Sequence, residues 1–245
     1  MKSIMKKNYI TRLLFLLILP VFLLPAETLS RNVEYGFALG RNVSYLHGSY
    51  TNAEEDIAVT MDSDFSWNYD ASAYIRFNLS RVFSIQPEVN YITRSTSFNE
   101  DVIIRGQDMR VDGRLTMTHV ELPILLRLSN RDPIPEPPRY TRPGYSFNIY
   151  SGASIAYNTR SRFSGDLSGN VFGVDFDEAF SSDVRDQFNE TDINFIAGAG
   201  VEYGRHTRLT ADIRYKISIM DIGSDPEFRE DMRFSTLSLG LGVIF

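Results

Sequence analysis

The chain has 245 residues, with 25 Lys and Arg against 31 Asp and Glu, and no cysteine. This length allows one domain or a small pair of domains. The lack of cysteine excludes a disulfide, a thiolate metal site and a cysteine nucleophile. The acidic balance disfavours nucleic acid as a partner.

The N-terminus has the layout of a secretory signal peptide. Four basic residues precede the apolar run Leu13–Leu24, and the small residue Ala26 follows it. The run is shorter than the ~20 apolar residues that a spanning helix needs. The pattern therefore predicts a signal peptide over 1–26 and an outer-membrane β-barrel domain over 27–245. An uncleaved anchor or a buried helix is the alternative.

The rest of the chain alternates apolar and polar residues with a period of two, as half-buried β-strands do. Arg208–Ile219 is the clearest case, because Leu209 and Ile213 share one face while Asp212 shares the other with the basic residues. Eight segments show this alternation, and they begin near 34, 65, 83, 115, 147, 193, 208 and 236. They are longer than the ~5–6 residues of an ordinary globular strand. Their length suits the ~9–11 residues that a tilted strand needs to cross hydrocarbon.

The connections between these segments differ in length at the two ends. Turns at 80–81 and 204–206 are short, and 129–144 is longer. Long loops are predicted at 47–64, 97–114, 158–190 and 220–232. Short periplasmic turns and long outer loops are the habit of outer-membrane barrels. We therefore predict an all-β fold, an eight-stranded antiparallel up-and-down transmembrane β-barrel, with both termini at the short-turn end.

The polar faces of the segments carry acids and bases in equal number, and we place them in the lumen. Since eight strands enclose only enough space for side chains to fill, and a buried ion needs an opposite partner, the predicted lumen is an ion-paired plug. Its network comprises Asp70, Arg76, Glu88, Glu121, Arg127, Glu202, Asp212, Arg214 and Lys216. Glu34, Arg94 and Arg208 lie on the same faces. A soluble lipocalin-like carrier, with the apolar faces inside, is an alternative.

Phe245 ends the chain on the apolar face of the last segment. A terminal aromatic residue there resembles the assembly signal of bacterial outer-membrane barrels. This resemblance makes the barrel-assembly machinery an expected partner.

Four segments resemble strands of the outer-membrane β-barrel family that includes PorT-like proteins. They are His119–Leu128 (HVELPILLRL), Tyr145–Arg162, Phe195–Gly204 (FIAGAGVEYG) and Leu209–Ile222. The resemblance spans about 33–245. It implies an eight-stranded, porin-like barrel in the outer membrane of a Gram-negative-type bacterium, commonly of the Bacteroidetes. One branch of the family is linked to type IX secretion and gliding, although the Pro-rich turn Asn130–Gly144 departs from the family pattern.

Candidate chemical groups are few, and no catalytic residue, cofactor or metal ligand is predicted. His47, His119 and His206 have no metal-ligand spacing. His119 shares an inward face with Glu121, which we interpret as a hydrogen-bonded lumen histidine. A rim-sited lipid-modifying outer-membrane enzyme is the alternative. The acidic stretch Asp175–Glu178, within 165–190, could collect Ca²⁺, or it is a solvated acidic surface.

The predicted function is that of a non-enzymatic outer-membrane protein with a structural or interaction role in the cell envelope. A link to secretion machinery is a further expectation. The expected partners are lipids of the outer membrane, including its lipopolysaccharide leaflet, and other envelope proteins.

Overall fold

The computed structural model describes residues 33–47, 64–80, 82–104, 107–130, 144–171, 174–205, 207–223 and 232–245. The predicted signal peptide over 1–26 lies outside these residues. The strands are β1 Val33–His47, β2 Asp64–Asn78, β3 Phe83–Ile104, β4 Gln107–Ser129, β5 Gly144–Val171, β6 Val174–Asp183, β7 Thr191–Gly204, β8 Arg208–Ser218 and β9 Arg233–Ile244. A short 3₁₀ helix, Arg185–Gln187, precedes β7. Among the described residues, no helix is long and apolar enough to cross a membrane.

Eight of the strands form a closed antiparallel ring. Their order is β1-β2-β3-β4-β5-β7-β8-β9, and β9 pairs with β1 over the register Gly36↔Ile244 to His47↔Arg233. The ring confirms the predicted all-β, up-and-down architecture. The ninth strand, β6, pairs with β5 and stands outside the ring.

Two of the predicted long loops are wrong, because strands continue through them. β3 and β4 stay paired as far as Ile104↔Gln107, across the predicted loop 97–114. β5 runs on to Val171 and pairs with β6, inside the predicted loop 158–190. The alternation of apolar and polar residues fades in both stretches because water meets both faces of each hairpin there. Backbone hydrogen bonds still keep the two strands of each hairpin paired. Sequence periodicity therefore marks only the part of each strand that lies in the ring.

The outer surface of the ring is an apolar belt. On β8, Leu209, Ile213 and Ile217 are exposed, while Arg208 and Lys216 point inward and are buried. The same alternation leaves large apolar side chains exposed around the ring, including Phe37, Leu39, Tyr91, Ile124, Leu126, Phe147, Ile155, Phe195, Leu239 and Leu241. A soluble monomer rarely exposes a patch beyond a few hundred Å². Such a belt is the surface that a barrel presents to lipid.

Aromatic residues border this belt at both ends, as a membrane-interface girdle does. At the short-turn end, the rings of Tyr35 and Phe245 stack with centroids 5.7 Å apart. Trp67 is 61% exposed near the other end. Tyr45 and Tyr157 are half-buried at that end. The aromatic residues thus mark the two ends of the lipid-facing surface of the barrel.

A cluster of apolar side chains, here called the apolar cap, lies at the long-connection end. Its members are Leu46, Leu115, Met117, Phe188, Ile222, Met232 and Phe234, with Phe163 and Val184 packed against them. Next to the cap, hydrogen bonds join the described parts of the β6–β7 and β8–β9 connections. Asn189 Nδ2 donates to the carbonyl oxygens of Asp221 and Gly223 at 2.9 and 2.7 Å.

Candidate functional site

Below the apolar cap the lumen is filled with polar side chains, which form three clusters. The lower cluster, nearest the short turns, contains Glu34, Arg76, Arg127, Glu202 and Arg208. The middle cluster contains Glu88, Tyr150, Asp212 and Arg214. The upper cluster contains Arg94, Glu121, Asp192 and Lys216.

In the lower cluster two carboxylates are shared among three arginines. Arg76 Nη1 lies 3.3 Å from Glu34 Oε2, and its Nη2 lies 2.9 Å from Glu202 Oε1. Arg208 joins the same two carboxylates at 2.6 and 3.4 Å. Arg127 Nη2 is 3.3 Å from Glu202 Oε1. The surplus cation is accommodated by the amide oxygen of Gln86, which accepts from Arg76 at 3.0 Å and from Arg127 at 3.1 Å.

The middle cluster holds one two-point ion pair and a tyrosine. Arg214 Nη1 and Nη2 donate to the two carboxylate oxygens of Glu88 at 2.6 and 3.1 Å, a fork geometry that strengthens the pair. The Tyr150 ring lies 4.9 Å from the Arg127 guanidinium carbon and 5.4 Å from that of Arg214. Its hydroxyl donates to Asp212 at 2.9 Å. Tyr150 therefore links the lower and middle clusters through cation–π contacts with Arg127 and Arg214 and through its hydrogen bond to Asp212.

The Tyr150 ring occupies the space that a side chain at Gly198 would fill. A Cβ built on Gly198, the neighbour of Tyr150 in the β5–β7 register, would lie 2.5 Å from Tyr150 Cζ. Gly36 stands in the same relation to Tyr74, at 2.6 Å. Inward glycines thus make room for the large lumen side chains across from them.

The upper cluster is the most deeply buried. Arg94 and Glu121 are both 0% exposed and form an ion pair. Arg94 Nη1 also lies 3.2 Å from Asp192 Oδ2, and Lys216 Nζ lies 2.5 Å from Glu121 Oε2. Two cations thus face two carboxylates, so this cluster is neutral as a unit.

The structure joins most of the predicted network, with one exception and four additions. Three of the additions, Glu34, Arg94 and Arg208, were predicted to lie on the same faces. Asp70 makes no ion pair within 4.0 Å among the described residues. Its carboxylate occupies the space that a side chain at Gly40 would fill. Asp192 is a member that the sequence interpretation missed, because the predicted segment began at Ile193. Its parity with the inward Asn194 was the signal that could have found it.

The two histidines in the described residues, His47 and His119, lie in different surroundings. His119 is 2% exposed in the lumen beside the upper cluster. His47 Nε2 lies 2.8 Å from Ser235 Oγ, and His206 is outside the described residues. No group of three His, Asp or Glu suited to a metal ion occurs in the described part of the chain. Asp177 and Glu178 are successive residues of β6, so they point to opposite faces and cannot share one ion.

Two small cavities lie in the described lumen. One cavity of about 20 Å³ lies among Arg76, Arg127, Glu202 and Arg208, and another of about 10 Å³ lies beside Tyr74. Each is near the size that holds a single water molecule. With the apolar cap above, these ion-paired side chains fill the barrel rather than line a pore.

Comparison with known proteins gives one family. The family described as outer membrane protein beta-barrel domain matches residues 25–224. No curated protein matches the chain in sequence.

Solved structures with a similar fold come from several bacteria. They include Ail, the attachment invasion locus protein of Yersinia pestis, in complex with the heparin analogue sucrose octasulfate (15% identity over 87% of this chain and 99% of that chain, TM-score 0.34). OprG of Pseudomonas aeruginosa shares 7% identity over 88% of this chain and 96% of that chain, with a TM-score of 0.45. The outer membrane protease OmpT of Escherichia coli shares 9% identity over 87% and 96%, with a TM-score of 0.35. At these scores none of the three bears on the activity of this chain. On the family match, the chain belongs to the outer membrane protein β-barrel domain family and resides in the outer membrane.

Proposed function

We propose that this protein is a non-enzymatic barrel that presents rigid hairpins outside the outer membrane to other proteins of the cell envelope. The observation that carries the proposal is a filled lumen below two long hairpins. The protein then acts through what it holds outside the membrane.

The hairpins are long enough to reach well beyond lipid. β5 has 28 residues, whereas a tilted strand crosses hydrocarbon in ~9–11. The apolar belt on β5 ends near Tyr157, so 158–171 continues past it for about 45 Å along the strand at ~3.3 Å per residue. The continuous pairing of β3, β4, β5 and β6 makes this extension a sheet. A sheet holds its side chains in fixed positions, which suits a docking surface.

The lipid-modifying enzyme considered from the sequence finds little support at the rim. Such an enzyme needs its reacting groups where a lipid can reach them. His119 and Glu121 instead lie in the lumen under the apolar cap, at 2% and 0% exposure. Outer-membrane residence also leaves no place for the soluble carrier.

Mass spectrometry of lipid A tests the enzyme class directly. Cells with and without the protein should give the same lipid A profile. A modification that depends on the protein would refute the non-enzymatic proposal.

A docking role for the hairpins, including the link to secretion machinery that a PorT-like branch would imply, needs a separate test. A photo-crosslinking residue at Asp177, exposed on β6, should capture the same envelope protein in repeated experiments. The control places the crosslinker at Leu241, in the apolar belt. If deletion of the gene leaves protein secretion unchanged and position 177 captures nothing beyond the control, the interaction role is refuted.

A further inference from the structure

Four arginines gather on the outward face of the barrel just above the apolar belt. Arg114 lies on β4, Arg160 and Arg162 lie on β5, and Arg185 lies in the 3₁₀ helix that follows β6. Arg114, Arg160 and Arg162 are exposed, and Arg185 is half-buried. Here they are called the rim arginines.

Their height follows from the strand. Ile155, at 59% exposure, belongs to the belt, and Tyr157 borders it. With a rise of ~3.3 Å per residue and a tilt of about 40°, Arg160 and Arg162 lie about 8 and 13 Å above Tyr157. This is the depth of lipid headgroups, not of acyl chains.

The rim arginines also lie side by side. In the β4–β5 register Arg160 is opposite Thr118 and Arg162 is opposite Thr116, while Arg114 is opposite Ser164. Diagonal neighbours on one face of a sheet are about 7–8 Å apart, which is within the reach of two arginine side chains toward one anion. Hydroxyl groups of Thr116 and Ser164 lie on the same face.

Arg185 completes the group from the side. Its Nη2 donates to the hydroxyl of Tyr157 at 3.1 Å, and its guanidinium carbon lies 5.8 Å from the Tyr157 ring centroid. The interfacial tyrosine thus holds this cation at the boundary of the belt.

Three of the rim arginines form no ion pair within the described part of the chain. No carboxylate lies within 4.0 Å of a basic nitrogen of Arg114, Arg160 or Arg162 among the described residues. Asp183 is opposite Arg162 in the β5–β6 register. Glu190 is exposed, and its backbone carbonyl oxygen accepts a hydrogen bond from the backbone N–H of Asn158. Neither forms an ion pair with Arg114, Arg160 or Arg162. Asp112 and Asp166 lie opposite each other on the same face next to Arg114, and Asp112 pairs with Arg110 at 3.4 Å. The three exposed rim arginines thus have no ion-pair partner within 4.0 Å among the described residues, although carboxylates lie nearby.

The geometry points to a binding site in which the rim arginines hold the phosphate groups of lipid A, the glycolipid anchor of the lipopolysaccharide leaflet. Arginine forks bind phosphate oxygens in pairs. The acyl chains of the same molecule would lie along the exposed Ile124 and Ile155 below. This site rests on the outer-membrane location and is independent of the proposed docking function.

The test measures binding of diphosphoryl lipid A to the full barrel in zwitterionic detergent. The Arg160→Gln/Arg162→Gln double variant is compared with Arg110→Gln/Arg205→Gln, which loses the same charge high on the β3–β4 hairpin and at a short turn. Each arginine near an anionic lipid surface contributes roughly a factor of five in affinity. We expect the rim variant to bind about 25-fold more weakly and the control variant to bind as the wild type does.

Three further measurements separate a lipid site from other anion sites. Lipid A without its phosphates should bind the wild type and the rim variant equally weakly. Raising the salt concentration should weaken wild-type binding more than rim-variant binding. Inorganic phosphate should not displace lipid A at equal concentration. Three results would each overturn the site: equal losses in both double variants, wild-type affinity for dephosphorylated lipid A as high as for diphosphoryl lipid A, or displacement of lipid A by inorganic phosphate.

Discussion

Replacing Glu121 by Gln tests whether the upper cluster depends on charge balance. Glu121 is completely buried and is the carboxylate partner of both Arg94 and Lys216. Gln keeps the shape of the side chain but leaves the cluster with one uncompensated cation. Removing one partner of a buried ion pair costs about 3–5 kcal/mol. We expect the free energy of unfolding to fall by that amount, measured by guanidinium titration of the barrel in detergent micelles with tyrosine and tryptophan fluorescence.

Two controls separate burial from loss of charge as such. Glu190→Gln removes an exposed carboxylate and should change the free energy of unfolding by less than about 0.5 kcal/mol. In the Glu121→Gln/Lys216→Met double variant, Arg94 faces Asp192 alone, so at least half of the lost stability should return. If Glu121→Gln unfolds at the same denaturant concentration as Glu190→Gln, the charge-balance reasoning is refuted.

Two other substitutions and one deletion test the belt, the inward glycines and the terminal residue. Ile213→Arg places a cation on the lipid-facing side and should cost about 2–4 kcal/mol at mid-bilayer, so the barrel should disappear from the membrane fraction while Ile213→Val remains; normal insertion of the Arg variant would contradict the facing. Gly198→Ala should lower the free energy of unfolding by about 1–3 kcal/mol because Tyr150 must move. Gly144→Ala, with no atom within 4 Å of the added Cβ, is the neutral match, and equal stability of the two would contradict the account. Deleting Phe245 should reduce the heat-modifiable form in cells but leave folding in detergent intact, and unchanged assembly in cells would count against its role as a signal.

The sequence predicts the ring well because one physical constraint acts on every spanning residue. Lipid on one side and a narrow lumen on the other require strict alternation, as along β8 from Arg208 to Lys216. The same constraint identifies inward charged residues such as Glu88 and Arg214, because a charged side chain at the polar positions of the alternation can face only the lumen. Which cation meets which carboxylate is not contained in that pattern. The pair Arg214–Glu88 joins residues 126 positions apart, and it depends on the shear of the closed ring.

The hairpins are not predicted from the sequence because this constraint does not act on them. Outside the belt, water is available on both faces, so Arg110 to Arg114 and Ser164 to Ser168 need no alternation to remain paired. Asp192 was missed at the same kind of boundary, where the apolar run that marks β7 has not yet begun. The 3₁₀ helix Arg185–Gln187 and the apolar cap depend on contacts between distant connections, which no local pattern records.

The apolar cap has a consequence for the permeability of the cell surface. An ion crossing the barrel would have to leave water and pass a layer of hydrocarbon side chains, where an unpaired charge is strongly disfavoured. We therefore expect the barrel to conduct no ions above the background of the lipid bilayer. Many copies of such a filled barrel in the outer membrane should therefore add little solute leakage.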